Sequence, residues 1–560
     1  MNAGPDGGEA IIAACRTLGI DVIFSSPGSE WAPVWEALAR QQRDQIPGPR
    51  YLDLMHETLA VAMATGYGLV TGRPQMVLLH AGPGLLQGAC GIHGALLSEV
   101  GMIVCSAESI TYGETAVDPG SQWYRNLSIV GGPQAMAAPF VKWATQTGSV
   151  ATLYGTLLRA AELARRAPAG PVYLNVPVEV LLESWTPPRS TGRPVALPGN
   201  RVSTHDDLEQ AARRLISAER PVLLTESVGR HADGFAALLE LAELLAIPVV
   251  EPQSAVCSNF PRTNPLHRGG DPLPLTADAD LIVLACCRVP WYPPSNRPAD
   301  TEVLVLDSVP HRPYIDYQVL EADQYLEGDV GPTLRALVST IKAIGVDESR
   351  VAARRATQAP APVRAPAPTP AGTDPIEAAA VVTMLRELLD PDATVIDETI
   401  THSRVVAQHL RADRPGRYSY VQGGLGQGLG VALGVKLADP TREVTLTIGD
   451  GSLLYNPIVQ SLTASRSLGL AILIVVFNNQ KYLSMQLNHL RFYPDGAAVD
   501  TGNFLGVDLA HQPELSELVA PFGMVGLRVS QSAELRPALE KALASVRAGQ
   551  TALVDVHVIR

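Results

Sequence analysis

Short apolar runs rich in β-branched residues alternate with longer segments of helical periodicity along most of the chain. The runs are VIFSSPG, MVLLHAGPG and PVYLNVP, then PVLLTES, LIVLACC and VLVLDS, then TVIDET, VTLTIGDGS, AILIVVFNN and ALVDVHV. Strands that alternate with helices predict parallel sheets with helices packed on both faces. The predicted fold class is therefore α/β, with doubly wound parallel-sheet domains.

Two Pro-rich stretches divide this pattern into three blocks. SWTPPRSTGRPVALPGN lies around 185–200, and a second stretch around 346–373 contains QAPAPVRAPAPTPAGT. Alternating Ala and Pro favour an extended, semi-rigid path that is typical of a linker. We therefore predict three domains, over residues 1–187, 200–345 and 374–560.

The first and third blocks contain segments that share one plan. AMATGYGLVTGRPQMVLLHAGPG (62–84) and GVALGVKLADPTREVTLTIGDG (430–451) each have a small-residue helix, a polar turn, an apolar strand and a Gly-rich loop. Loops at the carboxyl ends of strands are where open α/β sheets bind ligands. The similarity indicates two related domains that cooperate, although convergence among α/β folds could also produce it.

Composition narrows the class of protein. The 560 residues are 46% hydrophobic and 18% charged, with a formal net charge of −13. This balance fits a soluble globular protein and argues against a nucleic-acid binder, which needs a basic surface. The start lacks a secretory signal pattern, and the longest apolar run, LAILIVVF, is too short to span a bilayer. Six scattered cysteines without metal-type spacing indicate reduced core residues, so we predict a cytoplasmic protein with no membrane partner.

The most specific chemical signal is the sequence GDGS at 449–452 followed by FNN at 477–479. Asp450 and Asn479 each follow an apolar strand, and neighbouring parallel strands would bring their oxygens side by side. One carboxylate, one amide oxygen, a backbone carbonyl and diphosphate oxygens suit Mg²⁺. Gly449 and Gly451 would let the backbone approach the phosphates. The alternative is two ordinary strand-end turns, since Asp-Gly and Asn-Asn are common turn formers.

This pattern resembles the diphosphate–Mg²⁺ motif of thiamine diphosphate enzymes in the pyruvate decarboxylase and acetolactate synthase superfamily. The resemblance covers essentially the whole chain, in the order pyrimidine-binding, central and diphosphate-binding domain. It implies thiamine diphosphate and Mg²⁺ as cofactors, with Asp450, Asn479 and the backbone carbonyl of Lys481 as metal ligands. Ser452 follows as a further cofactor-binding residue. The Asp-to-Asn interval is about two residues longer than usual, and no clear counterpart of the family's flavin contacts is present, so FAD is not predicted.

Glu57 opens an Ala- and Gly-rich segment after an apolar run, YLDLMHETLAVAMATGYG. The resemblance implies that this glutamate hydrogen-bonds N1′ of the cofactor's aminopyrimidine and so promotes removal of the proton from C2 of the thiazolium ring. An apolar site would raise the pKa of such a carboxyl and keep a proton available to share. The alternative role is a helix N-terminal glutamate that interacts with the helix dipole. His56 beside it is predicted to be structural.

The segment GGLGQGLGVALG (423–434) is the third candidate. On its own it predicts a glycine-punctuated helix start. The resemblance implies that Gly423 supplies a backbone carbonyl to the 4′-amino group, and that Leu425 holds the two cofactor rings in a bent form. In VIDETITH (395–402), Thr399 and Thr401 are alternative hydroxyl donors to the diphosphate.

Within this superfamily the chain is similar to the benzoylformate decarboxylases, which carry a Pro-Gly-Ser turn and a strand ending in Leu-His. The matching segments are SPGSE (26–30) and LLHAG (78–82). The resemblance implies that Ser29 binds the substrate carboxylate and that His80 relays a proton before aldehyde release. An imidazole titrating near neutrality suits that task. The alternative is a strand-end histidine satisfied by backbone groups.

The central block departs from that family. The position of its second active-site histidine holds Trp291, flanked by Tyr292. Such aromatic residues could shape an apolar acceptor pocket and favour carboligation, or Trp291 could pack the core. Gln122 lies near the place where acetolactate synthases carry an active-site glutamine, although it could equally be a loop residue.

The predicted function is a 2-oxo acid decarboxylase with carboligase capability, acting on a 2-oxo acid and an aldehyde or ketone acceptor. An acetolactate synthase-like carboligase is the alternative enzyme, and a catalytically silent cofactor-binding homologue is the alternative of another class. A dinucleotide oxidoreductase is disfavoured because no G-x-G-x-x-G turn opens a βαβ unit with a downstream acid. The resemblance also implies a homodimer at least, with a homotetramer as the expected assembly.

Overall fold

The computed structural model describes residues 4–114, 118–189, 191–193, 195–196, 199–315, 318, 321–357 and 374–559. The predicted fold class is confirmed, because the chain forms three sheets whose strand pairs are all parallel. The Ala-Pro stretch at 358–373 lies outside the described residues. The residue boundaries of the three domains stay predictions.

The first domain holds a six-stranded sheet with strand order β2-β1-β3-β4-β6-β5. Its strands are β1 (Val22–Ser26), β2 (Arg50–Asp53), β3 (Gln75–Leu79), β4 (Met102–Ser106), β5 (Trp143–Gln146) and β6 (Pro171–Asn175). Its α-helices are α1 (Gly7–Leu18), α2 (Ala32–Arg43), α3 (Glu57–Thr71), α4 (Gly82–Leu97), α5 (Pro133–Ala137), α6 (Val150–Arg165) and α7 (Val178–Leu182). Every residue of β1, β3, β4 and β6 is buried, which explains why these strands are almost continuously apolar.

The central domain holds a five-stranded sheet with strand order β11-β10-β9-β7-β8. Its strands are β7 (Pro221–Thr225), β8 (Val249–Val250), β9 (Leu281–Ala285), β10 (Glu302–Asp307) and β11 (Gln324–Glu327). Its α-helices are α8 (His205–Ser217), α9 (Ala232–Leu245), α10 (Leu273–Thr276), α11 (Val330–Ile344) and α12 (Glu348–Thr357). Two apolar clusters made only of central-domain residues fill the faces of this sheet.

The third domain repeats the topology of the first. Its six strands run in the order β13-β12-β14-β15-β17-β16, which is the first domain's order with each strand renumbered. The strands are β12 (Thr394–Glu398), β13 (Tyr418–Tyr420), β14 (Val444–Gly449), β15 (Leu473–Asn478), β16 (Val525–Val529) and β17 (Ala552–His557). The α-helices are α13 (Ala378–Leu388), α14 (Ser403–Leu410), α15 (Gly428–Ala438), α16 (Asp450–Tyr455), α17 (Ile458–Leu468), α18 (Leu483–Phe492), α19 (Ala497–Thr501) and α20 (Ser532–Arg547). The two echoing sequence segments therefore occupy equivalent places, each formed by the helix before the third strand, that strand, and the loop after it.

Helices α3 and α15 are the equivalent helices of the two related domains. They pack so closely that their backbones are in direct contact. A Cβ atom built on Gly66 would lie 2.0 Å from the carbonyl oxygen of Val431, and one built on Gly434 would lie 2.1 Å from that of Met63. Side chains at these positions would therefore force the helices apart. The apolar residues around this crossing form one core cluster with members from both domains.

Among the described residues, every helix is either too short or too polar to cross a membrane.

Candidate active site

The carboxyl edge of the third sheet brings the GDGS and NN segments together. Strands β14 and β15 pair in parallel, with Gly449 opposite Phe477 at the end of the ladder. Asp450 begins α16 directly after β14, and Asn479 follows β15. Both side chains are buried, at 3% and 5% exposure. The two predicted metal ligands thus leave adjacent strands at the same edge.

Asp450 has the environment of a cation ligand. The backbone N–H groups of Gly451 and Gln480 and the side chain of Gln512 lie near this carboxylate and act to lower its pKa. Its Oδ2 atom is buried and has no hydrogen-bond partner among the described residues. Burial raises the pKa of Asp450 to about 6. A buried carboxylate oxygen without a partner is costly unless a cation or proton occupies its lone pairs, so this residue fits the implied Mg²⁺.

The turn after β15 orients the other two predicted ligands. Gln480 has a φ of 56°, in the left-handed region, and this reverses the backbone between Asn479 and Lys481. The Oδ1 atom of Asn479 accepts the backbone N–H of Lys481 at 3.0 Å, which fixes the amide oxygen. A backbone hydrogen bond from the N–H of Tyr482 to the carbonyl oxygen of Val507 also holds this segment.

Gly451 has a packing role that the sequence did not reveal. A Cβ atom at this position would lie 2.5 Å from the ring of Tyr482, which covers the start of α16. The Tyr482 ring also meets that of Tyr455 edge-on, with centroids 6.5 Å apart. A side chain at residue 451 would displace this aromatic cover, and Ser452 beside it is buried.

The glycine-rich loop before α15 is held by Glu398, a residue that the sequence analysis did not select. One oxygen of Glu398 accepts the backbone N–H of Gln427 at 2.9 Å, and the other accepts the side chain of Asn456 at 3.0 Å. Burial raises the pKa of Glu398 to about 7. Its carboxylate therefore connects the end of β12, the loop and the end of α16. The sequence feature that could have identified Glu398 is its place as the last residue of the strand TVIDE.

Two predicted cofactor contacts lie in that loop. The carbonyl oxygen of Gly423 accepts a hydrogen bond from Sγ of Cys90, on α4 of the first domain, at 3.2 Å. Leu425 is half-buried two residues later. The loop that carries both residues therefore touches the first domain.

Of the two candidate hydroxyl donors, Thr399 already uses its hydroxyl hydrogen in a hydrogen bond to the end of β12. Its Oγ1 donates to Oδ1 of Asp397 at 2.8 Å, and its N–H donates to the same oxygen at 3.1 Å. This geometry favours Thr401, which is half-buried in the short helix at 400–402, as the donor to a bound diphosphate.

The carboxyl edge of the first sheet forms a second group of polar residues around His80. Strands β1 and β3 are neighbours, and the N–H of His80 donates to the carbonyl of Ser26 at 3.2 Å. The Nδ1 atom of His80 lies 2.8 Å from Oε1 of Glu30, and that oxygen also accepts the N–H of Ala81 at 3.0 Å. Glu30 is buried, whereas the His80 side chain is 26% exposed. The imidazole is therefore fixed at one nitrogen, and its side chain remains partly accessible.

Glu30 is the second residue in these polar groups that the sequence analysis did not select. It stands next to Ser29 in the SPGSE turn, and this adjacency was the only signal. The hydrogen bond that His80 donates to Glu30 raises the pKa of His80, burial opposes that rise, and the charges of Glu30 and Glu57 add to it. His80 is thus held by a carboxylate in a hydrogen bond to one ring nitrogen, which fixes ring orientation in proton-transfer sites.

Glu57 lies close to His80. A Cβ atom built on Gly84, in the first turn of α4, would be 3.3 Å from Oε1 of Glu57 and 3.0 Å from Cβ of His80. Both side chains therefore flank one glycine. His56 caps α3, because its Nδ1 accepts the N–H of Thr58 at 3.2 Å, and this agrees with its predicted structural role.

The remaining candidates lie at the periphery of these two groups. Ser29 is exposed at the start of the short helix at 29–31, next to Glu30. Gln122 is half-buried immediately before a π-helical turn, Trp123–Leu127. Trp291 is buried in the core of the central sheet, which favours its packing interpretation, while the neighbouring Tyr292 is 76% exposed.

Family models match all three domains. The N-terminal TPP binding domain of thiamine pyrophosphate enzymes matches residues 5–127, the central domain matches 208–337, and the C-terminal TPP binding domain matches 399–556. The chain belongs to the thiamine pyrophosphate enzyme family.

Known members of the thiamine pyrophosphate (thiamine diphosphate) enzyme family align with nearly the whole chain. Benzoylformate decarboxylase of Pseudomonas aeruginosa is 27% identical over 561 residues, covering 95% of each chain. Acetolactate synthase isozyme 3 large subunit of Escherichia coli is 25% identical over 568 residues, covering 99% of this chain and 94% of the relative. The crystal structure of benzoylformate decarboxylase from Polynucleobacter necessarius shares the fold, with a TM-score of 0.81 at 21% identity over 99% of this chain and 98% of that chain. The predicted family is therefore confirmed.

In this thiamine pyrophosphate enzyme, replacing Glu30 by Gln should move the pH dependence of turnover. Gln keeps a hydrogen bond to His80 but removes the charge, and because the Glu30 carboxylate raises the pKa of His80, that pKa should fall. His80 would then lose its proton at a lower pH. The alkaline limb of the kcat profile should therefore shift to lower pH. The measurement is kcat against pH for the wild type, Glu30→Gln and the exposed control Glu36→Gln. If the alkaline limb of Glu30→Gln does not shift, that limb does not report the ionisation of His80.

Proposed function

We propose that this chain is a thiamine diphosphate- and Mg²⁺-dependent 2-oxo acid decarboxylase with carboligase capability. The observation that carries the proposal is the pairing of His80 with buried Glu30 at 2.8 Å, beside Glu57. A positioned imidazole next to the carboxylate that would activate the cofactor suits a reaction that must return a proton to carbon. Bound thiamine diphosphate supplies the nucleophilic carbon and the electron sink that loss of CO₂ from a 2-oxo acid requires.

Glu57 has the role of holding a proton at N1′ of the aminopyrimidine. Its carboxylate is half-buried at the first residue of α3, and Oε1 points toward the backbone of Gly84. A carboxyl that gives and takes this proton promotes deprotonation at C2 of the cofactor. The remainder of the first-domain group serves the substrate, with exposed Ser29 binding the carboxylate of the 2-oxo acid.

His80 donates the proton that replaces CO₂ on the substrate carbon. Glu30 fixes one ring nitrogen and favours the protonated ring, so the other nitrogen can act as the donor. Gln122 would hydrogen-bond the reacting carbonyl group from the loop before the π-helical turn. In ligation, the same imidazole would orient the carbonyl of an aldehyde or ketone acceptor.

The third-domain residues hold the cofactor's other half. Asp450, Asn479 and the carbonyl of Lys481 would bind Mg²⁺, with Gly449 and Ser452 beside the diphosphate. The unpartnered Oδ2 atom of Asp450 supports this assignment. The carbonyl of Gly423 and the side chain of Leu425 would contact the rings.

A second copy of the chain would complete the site. The two polar groups lie at the edges of different sheets, and each is bordered by exposed apolar side chains, which are usual at protein interfaces. Met55, two residues before Glu57, and Leu86, on α4, are 54% and 56% exposed, while Tyr455, whose ring meets that of Tyr482, and Met485, on α18, are 61% and 50% exposed. We therefore propose a homodimer at least, with a homotetramer as the expected assembly. The six free cysteines support a cytoplasmic location.

An acetolactate synthase-like carboligase is the second candidate function. The alignment with the Escherichia coli acetolactate synthase subunit over 99% of this chain supports it. The position implied for a second active-site histidine holds Trp291, which is buried in the central core. A silent homologue is less well supported, because Glu57, Asp450 and Asn479 are all present.

Replacing His80 by Ala should separate the two reactions. If His80 donates the proton for aldehyde release, the variant should release aldehyde about 10²–10⁴-fold more slowly, the usual contribution of a general acid. An added aldehyde acceptor should still yield hydroxyketone, so ligation should fall much less. The experiment incubates wild type and variant with a panel of 2-oxo acids, thiamine diphosphate and Mg²⁺, and measures CO₂, aldehyde and 2-hydroxy ketone together.

The outcomes of this experiment are distinct. An equal loss of both products would favour the carboligase, since His80 would then orient the acceptor. Wild-type rates for both products would show that His80 is structural. Turnover of no 2-oxo acid by the wild type, with cofactor bound, would overturn the proposed function.

A further inference from the structure

Three potential metal-ligating side chains meet at the far end of the third sheet's carboxyl edge. Glu514 stands just before the 3-10 helix at 515–522, and Asp555 and His557 belong to the last strand, β17. One donor atom from each lies within 4.8 Å of the other two. None of the three has a role in the proposed thiamine diphosphate chemistry.

Asp555 supplies the strongest evidence that this cluster binds a ligand. Its side chain is fully buried, and Oδ1 accepts a hydrogen bond from Asn478 at 3.0 Å. Its other oxygen, Oδ2, is buried without a hydrogen-bond partner among the described residues, and so is Nε2 of His557. These two atoms face each other as an ion pair without hydrogen-bond geometry, and an ion held between them would satisfy both.

The spacing of these two atoms matches a shared metal ion. Oδ2 of Asp555 and Nε2 of His557 lie 3.5 Å apart. Two ligand atoms that are each about 2.1 Å from one tetrahedral ion lie about 3.4 Å from each other. The hydrogen bond from Asn478 holds the carboxylate in this orientation, as outer partners of metal ligands commonly do.

Glu514 completes the set from the solvent side. Its side chain is 33% exposed, and its Oε2 pairs with Nη1 of Arg528 at 2.6 Å. Because the Arg528 side chain is half exposed, that ion pair contributes little stability and can yield to a divalent ion. The His557 side chain is 22% exposed, so the cluster lies close to the protein surface.

We infer that Glu514, Asp555 and His557 form a second metal site, which binds a divalent transition-metal ion such as Zn²⁺. One imidazole nitrogen with two carboxylates is a ligand set for zinc-type ions, whereas Mg²⁺ prefers oxygen ligands. Asn478, the neighbour of Asn479 in the chain, accepts a hydrogen bond from Gln512 and donates one to Asp555. The second site is therefore connected to the predicted Mg²⁺ site but uses different ligands, and it does not rest on the proposed function.

Zinc binding to the cofactor-free protein tests this inference. The titration uses Zn²⁺ with a competing indicator dye and excess Mg²⁺, in a Cys90→Ser background because Cys90 is an exposed thiol. We expect one Zn²⁺ ion per chain. His557→Ala and Glu514→Ala should each weaken binding by about 10-fold or more, because each removes one direct ligand. Circular dichroism confirms that each variant is folded.

Two control variants make the result specific. His511→Ala removes an exposed imidazole three residues before Glu514 and should bind Zn²⁺ like the parent. Asp450→Ala should also retain the ion, because Asp450 is not one of the three ligands. The inference is overturned if the parent binds no Zn²⁺ in excess Mg²⁺, if the two ligand variants bind like the parent, or if Asp450→Ala loses the ion.

Discussion

The Asp450→Ala variant should lose thiamine diphosphate binding rather than merely turn over slowly. The carboxylate would be the only negatively charged protein ligand between Mg²⁺ and two phosphates, and its Oδ2 has no other partner among the described residues. Loss of an outer partner of a metal ligand typically costs about 10–100-fold in affinity, and loss of the ligand itself should cost more. Calorimetric titration with thiamine diphosphate in excess Mg²⁺ measures the change directly.

Thermal unfolding gives this prediction a second readout. Without cofactor, the variant should be at least as stable as the wild type, because the substitution removes a buried carboxylate with an unpaired oxygen. With cofactor, the wild type should gain the stabilisation that ligand binding confers, and the variant should not. Asp500→Ala, an exposed change on α19, is the matched control. An unchanged cofactor affinity in Asp450→Ala would refute the metal assignment.

The Glu57→Gln variant should bind thiamine diphosphate normally and yet be nearly inactive. Gln has almost the same shape and can occupy the space beside Gly84, but it cannot give and take the proton at N1′. Loss of a general acid–base group typically costs about 10²–10⁴-fold in rate. Hydrogen–deuterium exchange at C2 of the bound cofactor follows the affected step without a substrate.

Two comparisons make the Glu57 result decisive. Cofactor affinity should stay at the wild-type level, because the diphosphate and metal contacts belong to the third domain. Glu36→Gln, on the exposed face of α2, should leave both affinity and exchange unchanged. Wild-type exchange in Glu57→Gln would exclude Glu57 from activation of the cofactor, and lost affinity would instead indicate a binding role.

The sequence predicted the contents of the third-domain group because its ligands follow strands that are close in the chain. Strands β14 and β15 are joined by a helical crossover, and consecutive parallel strands of this kind usually become neighbours. The adjacency of Asp450 and Asn479 therefore followed from order alone. The repeated strand order of the first and third domains likewise matches the echo between their sequences.

Residues that act across several segments were not predictable in the same way. Glu30 reaches His80 only because β1 pairs with β3 rather than solely with β2, and nothing in the order of the strands requires that. Glu398 bonds to Gln427 and Asn456, which lie in two later segments. The aromatic character of Trp291 fitted a pocket wall and a core residue equally well, and only its burial distinguishes them.

The crossing of α3 and α15 has a consequence for how the molecule unfolds. Because apolar side chains from the first and third domains fill one shared core, neither domain can expose its half of that core alone. Melting of either one strips apolar area from the other, so the two should open as one cooperative unit. The central domain has apolar clusters of its own, and its links to the other two are polar, among them the ion pairs of Glu99 with Arg230 and Arg312. Segments that are far apart in the chain are thus thermodynamically linked across the domain that separates them in sequence.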